Sequence, residues 1–307
     1  MTEPLFEKVA LIGIGHIGSS IAINIRERGL AAHVAISTRG EDTLRRAEEL
    51  ELGTSYHSDP ADAVRNADLV ILSVPVGASG PVMQSIAHAL KPGAIVSDVG
   101  SVKGAVIAAM RPHVPKHAQF VPAHPLAGTE NSGPDSGFLE LFENRWTILT
   151  PLEETSEEAS ERLAALWRAF GARVERMSVE HHDLVLAIVS HLPHLIAYNI
   201  VGTAADLETV TQQEVIKFSA SGFRDFTRIA ASDPTMWRDV FLTNREAVLE
   251  MLGRFSEDLA SLQRAIRWGD GDMLFDLFTR TRAIRRSIVE AGQDTAAPNF
   301  GRTPQSR

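Results

Sequence analysis

Apolar residues in the first half of the chain fall in short unbroken runs, each separated from the next by stretches of helical period. Val9-Ala10-Leu11-Ile12, His33-Val34-Ala35-Ile36, Leu69-Val70-Ile71-Leu72, Ala94-Ile95-Val96 and Gln119-Phe120-Val121 are the runs. Such runs predict strands buried on both faces of a parallel sheet. Helices are predicted from the glycines after Ile12 to Arg28, from Asp59 to Ala67 with Ser58 or Asp59 as cap, from Pro81 to Leu90, and from Val102 onward. Asn131 to Gly137 is polar and rich in turn residues. Arg145 to Thr150 then reads as a strand, Ser156 to Phe170 as a capped helix and Ala172 to Arg176 as a last short strand.

From Val179 the period is helical with almost no strand signal. His181 to about Leu207 reads as one long apolar helix interrupted by Pro193, whose ring clashes with the carbonyl of Val189. Ser232-Asp233-Pro234 starts another, carrying Trp237 and running to about Trp268, where Gly269-Asp270-Gly271 breaks it. Asp272 to about Ala291 is the last helix. The expected organisation is an α/β domain over 1–178, an all-α domain over 179–291 and a disordered polar tail over 292–307. The helices are more apolar than one small domain can bury, so a homodimer through this half is expected.

Composition narrows the options. The chain has 307 residues, 44% hydrophobic and 22% charged, ordinary for a globular protein with room for two domains. A net charge of −9 argues against a nucleic-acid surface. There is no cysteine, so disulfides, thiolate catalysis and cysteine metal sites are excluded. The first residues lack the basic and apolar regions of a signal peptide. The most apolar window, Leu184 to Val201, contains two histidines, a proline and an asparagine, and a buried helix explains it better than a membrane span. A cytoplasmic location is the expectation.

The first run leads straight into Gly13-Ile14-Gly15-His16-Ile17-Gly18. Strand, G-x-G-x-x-G and helix in this order is the dinucleotide-binding fingerprint. Gly13 permits the turn, Gly15 admits a pyrophosphate to the backbone, and Gly18 lets helix and strand approach. His16 and Ile17, at the helix N-terminus, join these glycines as cofactor contacts. The alternative is a glycine turn with no ligand. At the end of the second strand an NAD site wants a carboxylate for the ribose hydroxyls. Here stand Ser37, Thr38 and Arg39, which suit a 2′-phosphate. NADP is therefore favoured over NAD, although Arg39 could merely stack on adenine and Asp42 could turn in. Residues 73–75, at the end of the third strand, and residues 98–103 line the expected nicotinamide crevice, with Val74, Pro75 and Ser101 as cofactor contacts.

Candidate chemistry gathers at Val121-Pro122-Ala123-His124-Pro125-Leu126-Ala127-Gly128-Thr129-Glu130. Proline on both sides holds the backbone of His124 extended. His124 is then either a positioned base or a loop histidine bonded to nearby backbone. Ser101 can bond a substrate hydroxyl or the base, or cap the helix from Val102. Lys103 is either catalytic, or a surface or structural residue. In the helical half His191 and His194 share a face, but no third ligand has matching spacing, so no metal is expected. Arg228 could clamp a carboxylate in bidentate fashion, or Asp225 could neutralise it.

Gly13-Ile14-Gly15-His16-Ile17-Gly18, Asp98-Val99-Gly100-Ser101-Val102-Lys103, His124-Pro125-Leu126-Ala127-Gly128-Thr129-Glu130, Ser190-His191-Leu192-Pro193-His194 and Phe223-Arg224-Asp225-Phe226-Thr227-Arg228 together resemble the prephenate/arogenate dehydrogenases, and within them the cyclohexadienyl dehydrogenases. The resemblance spans about residues 8–285. It implies a Rossmann dinucleotide-binding domain, an all-helical dimerisation domain, and oxidative decarboxylation of a cyclohexadienol in tyrosine biosynthesis. It implies that His124 takes the ring hydroxyl proton, that Ser101 orients that hydroxyl and the histidine, and that Arg228 binds a substrate carboxylate. Thr129, Glu130, His194 and Trp237 would line the pocket, with Asp225 at its rim. Many members carry Asp at the end of the second strand, and Gln where Val99 stands. Two other readings are a non-catalytic NADP-binding sensor and a β-hydroxyacid-type dehydrogenase. The latter needs a lysine in the helical half, where Lys217 stands alone without a suitable motif.

Overall fold

The computed structural model describes residues 3–128, 131–206 and 212–290. Six strands, β1 (Phe6–Ile12), β2 (Ala31–Ser37), β3 (Ser55–His57), β4 (Leu69–Leu72), β5 (Ile95–Asp98) and β6 (Gln119–Phe120), form one sheet in the order β3-β2-β1-β4-β5-β6. All of its pairings are parallel. This is the doubly wound order, and its ligand crevice lies outside the carboxyl ends of the strands where the order reverses, between β1 and β4. Helices α1 (His16–Glu27), α2 (Glu41–Glu49), α3 (Pro60–Val64), α4 (Ser79–Ile86) and α5 (Lys103–Met110) make the crossovers.

The unbroken apolar runs have a direct cause. Val9 and Leu11 of β1 pack with Ile21 and Ile25 of α1 on one face. Ala10 and Ile12 pack with Met83 of α4 and Val106 of α5 on the other. Alternate residues therefore face different cores, and neither face meets water. β3 has no apolar run; its three residues are only half-buried at the sheet edge, which is why the hydrophobic pattern did not reveal it.

A second sheet follows, formed by β7 (Ala123–Pro125), β8 (Trp146–Leu149) and β9 (Arg173–Arg176). β7 lies antiparallel to β8, with His124 opposite Ile148. The extended backbone forced by the two prolines is thus used as an edge strand, where a missing N–H is tolerated. Helix α6 (Glu157–Ala169) covers it and buries Trp167 against Phe142 and Phe170. Its cap is Ser156, which accepts from the Ala159 amide.

The long apolar helix is three pieces. α7 (Val179–Leu186) passes through a π-helical turn at Ala187–His191 into α8 (Leu192–Ala205). The wide turn just before Pro193 takes up the clash that proline makes with the preceding turn. The chain does not fully bury this segment: Leu184, Ile188, Val189, Ile200 and Val201 are exposed. By length and mean hydropathy Val179–Ala205 could cross a membrane, and 28% of its most apolar window is buried. α9 (Gln212–Phe218), α10 (Ser221–Thr227) and α11 (Pro234–Thr243) follow. The helix expected to run through Trp268 breaks at Asn244, and α12 (Arg245–Trp268) and α13 (Gly271–Glu290) complete the described chain. The tail over 292–307, the residue Leu207 and the pair Thr129 and Glu130 lie outside the described residues.

Two compact units result, Met1–Leu249 and Glu250–Arg307. Residue 178, where strand gives way to helix, lies inside the first unit because α7 packs against α5. In the second unit Leu259, Ile266, Trp268, Phe275, Phe278, Ile284 and Ile288 are exposed.

The turn at 133–138 sits on α1 with no space to spare. A Cβ on Gly137 would lie 2.5 Å from the Ser19 Cβ. Gly137→Ala should therefore destabilise the protein by roughly 1–3 kcal/mol, as overpacking of a tight contact does; thermal denaturation against the parent chain checks it.

Candidate active site

The glycine loop has the shape its sequence implies. Gly13 adopts φ +94°, and a Cβ there would stand 2.3 Å from the Ser73 carbonyl oxygen. A Cβ on Gly18 would stand 2.4 Å from the Gly13 carbonyl oxygen. These two glycines are required by packing alone. Gly15 differs: nothing lies within 4 Å of the position its Cβ would take. Gly15 is also the N-cap of α1 and no side chain satisfies the amides there. Open space facing unsatisfied helix N–H groups fits a pyrophosphate.

His16 and Ile17 are placed differently from the glycines. The ring of His16 is buried, donates from Nδ1 to the Ser136 carbonyl at 2.8 Å and tilts against Phe138. It ties the glycine loop to the 133–138 turn. Ile17 packs on the core beneath α1. At the end of β2, Ser37 is buried and its carbonyl accepts from the Gly13 amide at 2.8 Å. Thr38 is half-buried and Arg39 exposed. Asp42 is engaged with Arg45 at 2.7 Å. Val74 is half-buried and Pro75 exposed, beyond the end of β4.

His124 is buried on β7, and its neighbours decide its protonation. Its Nδ1 lies 2.9 Å from Nε2 of His182, at the start of α7. Nδ1 of His182 lies 2.8 Å from Oδ1 of Asp183. Asp183 also accepts from the backbone amides of Lys103 and Gly104, each at 2.8 Å. Burial works to raise the Asp183 pKa, but these donors outweigh it and hold the carboxyl below its usual range. Burial lowers the His182 pKa against the opposing pull of Asp183. Burial, followed by the charges of His182, Lys103 and His191, holds His124 well below the ordinary histidine value. A neutral imidazole ready to accept a proton is the state these surroundings favour.

Lys103 is structural, and not at the surface. It is fully buried, ion-paired to Asp98 at the end of β5 and bonded to the Ala123 carbonyl at 2.6 Å. Burial lowers its pKa while Asp98 opposes that shift. Asp98 in turn accepts from the Gly100 amide at 2.8 Å. This pair fastens β5, the following loop and β7 together beside His124.

Ser101 does not cap α5. The N-cap position is Val102, with no side-chain bond from within the loop. Asp183 takes that role instead, reaching the α5 amides from α7. The Ser101 hydroxyl is thereby not committed to the cap, and its backbone lies near His191.

The helical residues form one connected group. Asn244 donates from Nδ2 to the Asp183 carbonyl at 2.9 Å and to Nδ1 of His191 at 3.0 Å. Burial pushes the His191 pKa down to about 4, with Asp183 opposing. Its ring meets the edge of Trp237 at 6.0 Å. The other face of the group is His194, stacked on Trp237 with centroids 3.6 Å apart. Burial lowers the His194 pKa, its bond to the Ser190 carbonyl opposes, and the charge of Arg228 lowers it further. Arg228 is half-buried, whereas Asp225 is exposed. Val102, next to Ser101, packs on Trp237 and Val240. Trp237 Nε1 is buried and finds no acceptor among the described residues.

The fold brings His124, Ser101, His194, Trp237 and Arg228, all singled out in the sequence, into one neighbourhood. Sequence reasoning missed His182, Asp183, Asn244 and the Lys103–Asp98 pair as a unit. The run Glu180-His181-His182-Asp183 was the available signal, but only the packing of α7 on α5 shows which histidine points inward.

Known proteins match over this same region. Residues 21–176 match the family described as prephenate dehydrogenase, nucleotide-binding domain, and residues 178–280 the one described as prephenate dehydrogenase, dimerization domain. The chain is 44% identical over 284 residues to a cyclohexadienyl dehydrogenase of Zymomonas mobilis, covering 92% of this chain and 97% of that protein. It is 32% identical to a prephenate dehydrogenase of Bacillus subtilis, over 96% of this chain and 79% of that one. Prephenate dehydrogenase of Aquifex aeolicus, solved with hydroxyphenyl propionate and NAD+, superposes with a TM-score of 0.85 at 32% identity, covering 94% of this chain and 99% of its own. Synechocystis arogenate dehydrogenase gives 0.77 at 27% identity, over 91% and 99% of the two chains. With a nucleotide-binding sheet, a buried neutral histidine at its carboxyl edge and both halves matched in sequence, the chain belongs to the prephenate dehydrogenase family.

Proposed function

We propose that this protein oxidatively decarboxylates prephenate, arogenate or both, in tyrosine biosynthesis in the cytoplasm, and works as a homodimer through its helical half. The observation that carries the reading is the single connected group from His124 through His191, Trp237 and His194 to Arg228. It supports a reading in which His124 accepts a proton and Arg228 offers a cation to the same small molecule, beside the crevice of a nucleotide-binding sheet. A ring with a hydroxyl at one end and carboxylates at the other has the matching chemistry. The exposed apolar residues of α8 and α13 suit burial against a second copy.

When bound, NAD(P)+ supplies the hydride acceptor. Gly15 and the α1 amides hold its pyrophosphate, with Gly13 and Gly18 shaping the turn and Val74 and Pro75 flanking the nicotinamide. Residues 1–178 serve the cofactor in this reading, and residues 179–291 the substrate and the dimer. NADP is favoured, because Thr38 and Arg39 stand where a carboxylate would repel a 2′-phosphate and Asp42 is held by Arg45.

His124 accepts the ring hydroxyl proton as hydride leaves the carbinol carbon. The ring ketone that results lies opposite the carboxylate-bearing carbon. Loss of carbon dioxide leaves the electron pair to aromatise the ring, and His124 returns its proton to the phenolic oxygen. Ser101 orients the hydroxyl. Arg228 binds a carboxylate, with His194 and Trp237 forming the wall between and Asp225 at the rim. Thr129 and Glu130, outside the described residues, complete the pocket in this reading.

Purified protein given prephenate or arogenate, each with NAD+ and NADP+, should reduce cofactor with at least one pair, followed by absorbance; no reduction with any pair would refute the reading. His124→Asn should keep cofactor affinity and lose kcat by about 10²–10⁴-fold, the usual weight of a positioned base. Because the neutral form is active and the pKa is depressed, parent activity should hold through the ordinary histidine range near about pH 6.5 and fall only below it. Arg228→Ala should raise KM for the substrate by the equivalent of about 2–4 kcal/mol, as for a carboxylate that loses its partner; an unchanged KM removes the clamp. Arg39→Ala should weaken NADP+ more than NAD+, by roughly 1–2 kcal/mol if a charged hydrogen bond is lost; direct titration of both cofactors decides it.

A further inference from the structure

Hydrogen-bond directions around His124 follow from one fixed point. A carboxylate only accepts, so the Asp183 oxygen 2.8 Å from His182 requires a proton on Nδ1 of His182. Asp183 is ionised under its three donors, so this end of the chain does not invert. With His182 neutral, its Nε2 is then bare and accepts. Nδ1 of His124, 2.9 Å away, must donate to it. The neutral His124 ring therefore carries its proton on Nδ1 and presents a lone pair at Nε2. That is the tautomer a base needs if Nε2 faces the substrate.

We propose that His182 and Asp183 are positioning residues for the reaction: they fix the tautomer of His124 and take up the charge when Nε2 gains a proton. This rests on His124 being the base, as in the proposed function. The step balances simply. A proton passes from the substrate hydroxyl to Nε2 of His124, and the cation so formed shares its Nδ1 proton with Nε2 of His182. His182 is already bonded to a carboxylate, so positive charge moves toward Asp183. No proton leaves the site, and the same path runs backward when the phenolic oxygen is reprotonated.

The other charged and titratable neighbours leave Asp183 as the available counter-charge. Lys103 faces His124 from α5 and opposes its protonation, but Asp98 of β5 neutralises it. His191, from the π turn, opposes it too, and is itself hard to protonate. Asp183 is the carboxylate connected to the ring through hydrogen bonds. It is held rigid by the α5 amides and, through its backbone carbonyl, by Asn244. The geometry follows the general logic of a base oriented by a third group, here with a second imidazole between base and carboxylate.

The test uses full-length His182→Leu, His182→Gln and Asp183→Asn, with cofactor affinity and thermal stability measured beside kinetics. His182→Leu removes the acceptor for Nδ1 and should lower kcat by about 10²-fold or more, as for a base in the wrong tautomer, with substrate KM little changed. His182→Gln, whose amide oxygen can still accept from Nδ1, should recover part of that loss. Asp183→Asn removes the anion, which disfavours the protonated pair, so the acid limb of the pH profile should move to lower pH. Should the amide variant disturb the α5 cap and fail to fold, the two His182 variants still decide. A second readout needs no substrate: in protein labelled with ¹⁵N-histidine, His124 should carry hydrogen on Nδ1 in the parent and lose that preference in His182→Leu. Normal kcat in His182→Leu, or a parent His124 with hydrogen on Nε2, overturns the proposal. Turnover failure in the parent with every substrate and cofactor pair would sink the proposed function instead, while the tautomer measurement would still test this one.

Discussion

Keeping one imidazole buried, neutral and in a single orientation is the constraint around which the site is built. An unpaired histidine in such a place could ionise, rotate or swap tautomers. Here α7 delivers His182 and Asp183, α5 delivers two backbone amides, and β7 delivers His124 itself. Each element comes from a different part of the chain. Asp183 serves twice, because the carboxylate that accepts from the first α5 amides is also the one bonded to His182. The end of α5 and the orientation of the His182–His124 pair therefore share one carboxylate.

The buried Lys103–Asp98 pair works at a second level. A buried pair is weak evidence for added stability, since desolvation offsets most of the attraction. What it does provide is placement. Lys103 spans from the end of β5 to the Ala123 carbonyl, one residue before His124. The nucleotide-binding sheet and the strand that carries His124 are joined through that ammonium group. The π turn and the break at Asn244 do similar work in the helical half, since both departures from ideal helix carry residues that contact the site.

The relation to known dehydrogenases rests on both halves of the chain. Nucleotide-binding sheets host many chemistries, so the glycine loop by itself says little about substrate. The helical half, which brings His191, Trp237 and His194 together near His124, is matched to the family as well. The apolar residues it leaves exposed fit a family whose second domain is described as a dimerization domain.

Local physics determined much of this protein from sequence alone. Unbroken apolar runs specify a sheet covered on both faces, Gly13 and Gly18 specify the turn, and two prolines hold His124 extended. Those features depend on neighbours a few residues away, so the chain states them directly. The tautomer and counter-charge of His124 depend on His182 and Asp183, some sixty residues further on, and on a helix packing that no local pattern encodes. For the same reason the burial of Lys103, the transfer of the α5 cap from Ser101 to Asp183, the π turn before Pro193 and the break at Asn244 came only from the tertiary structure. Burial sets the energy of a charge or an unpaired N–H, and burial is a property of the folded whole.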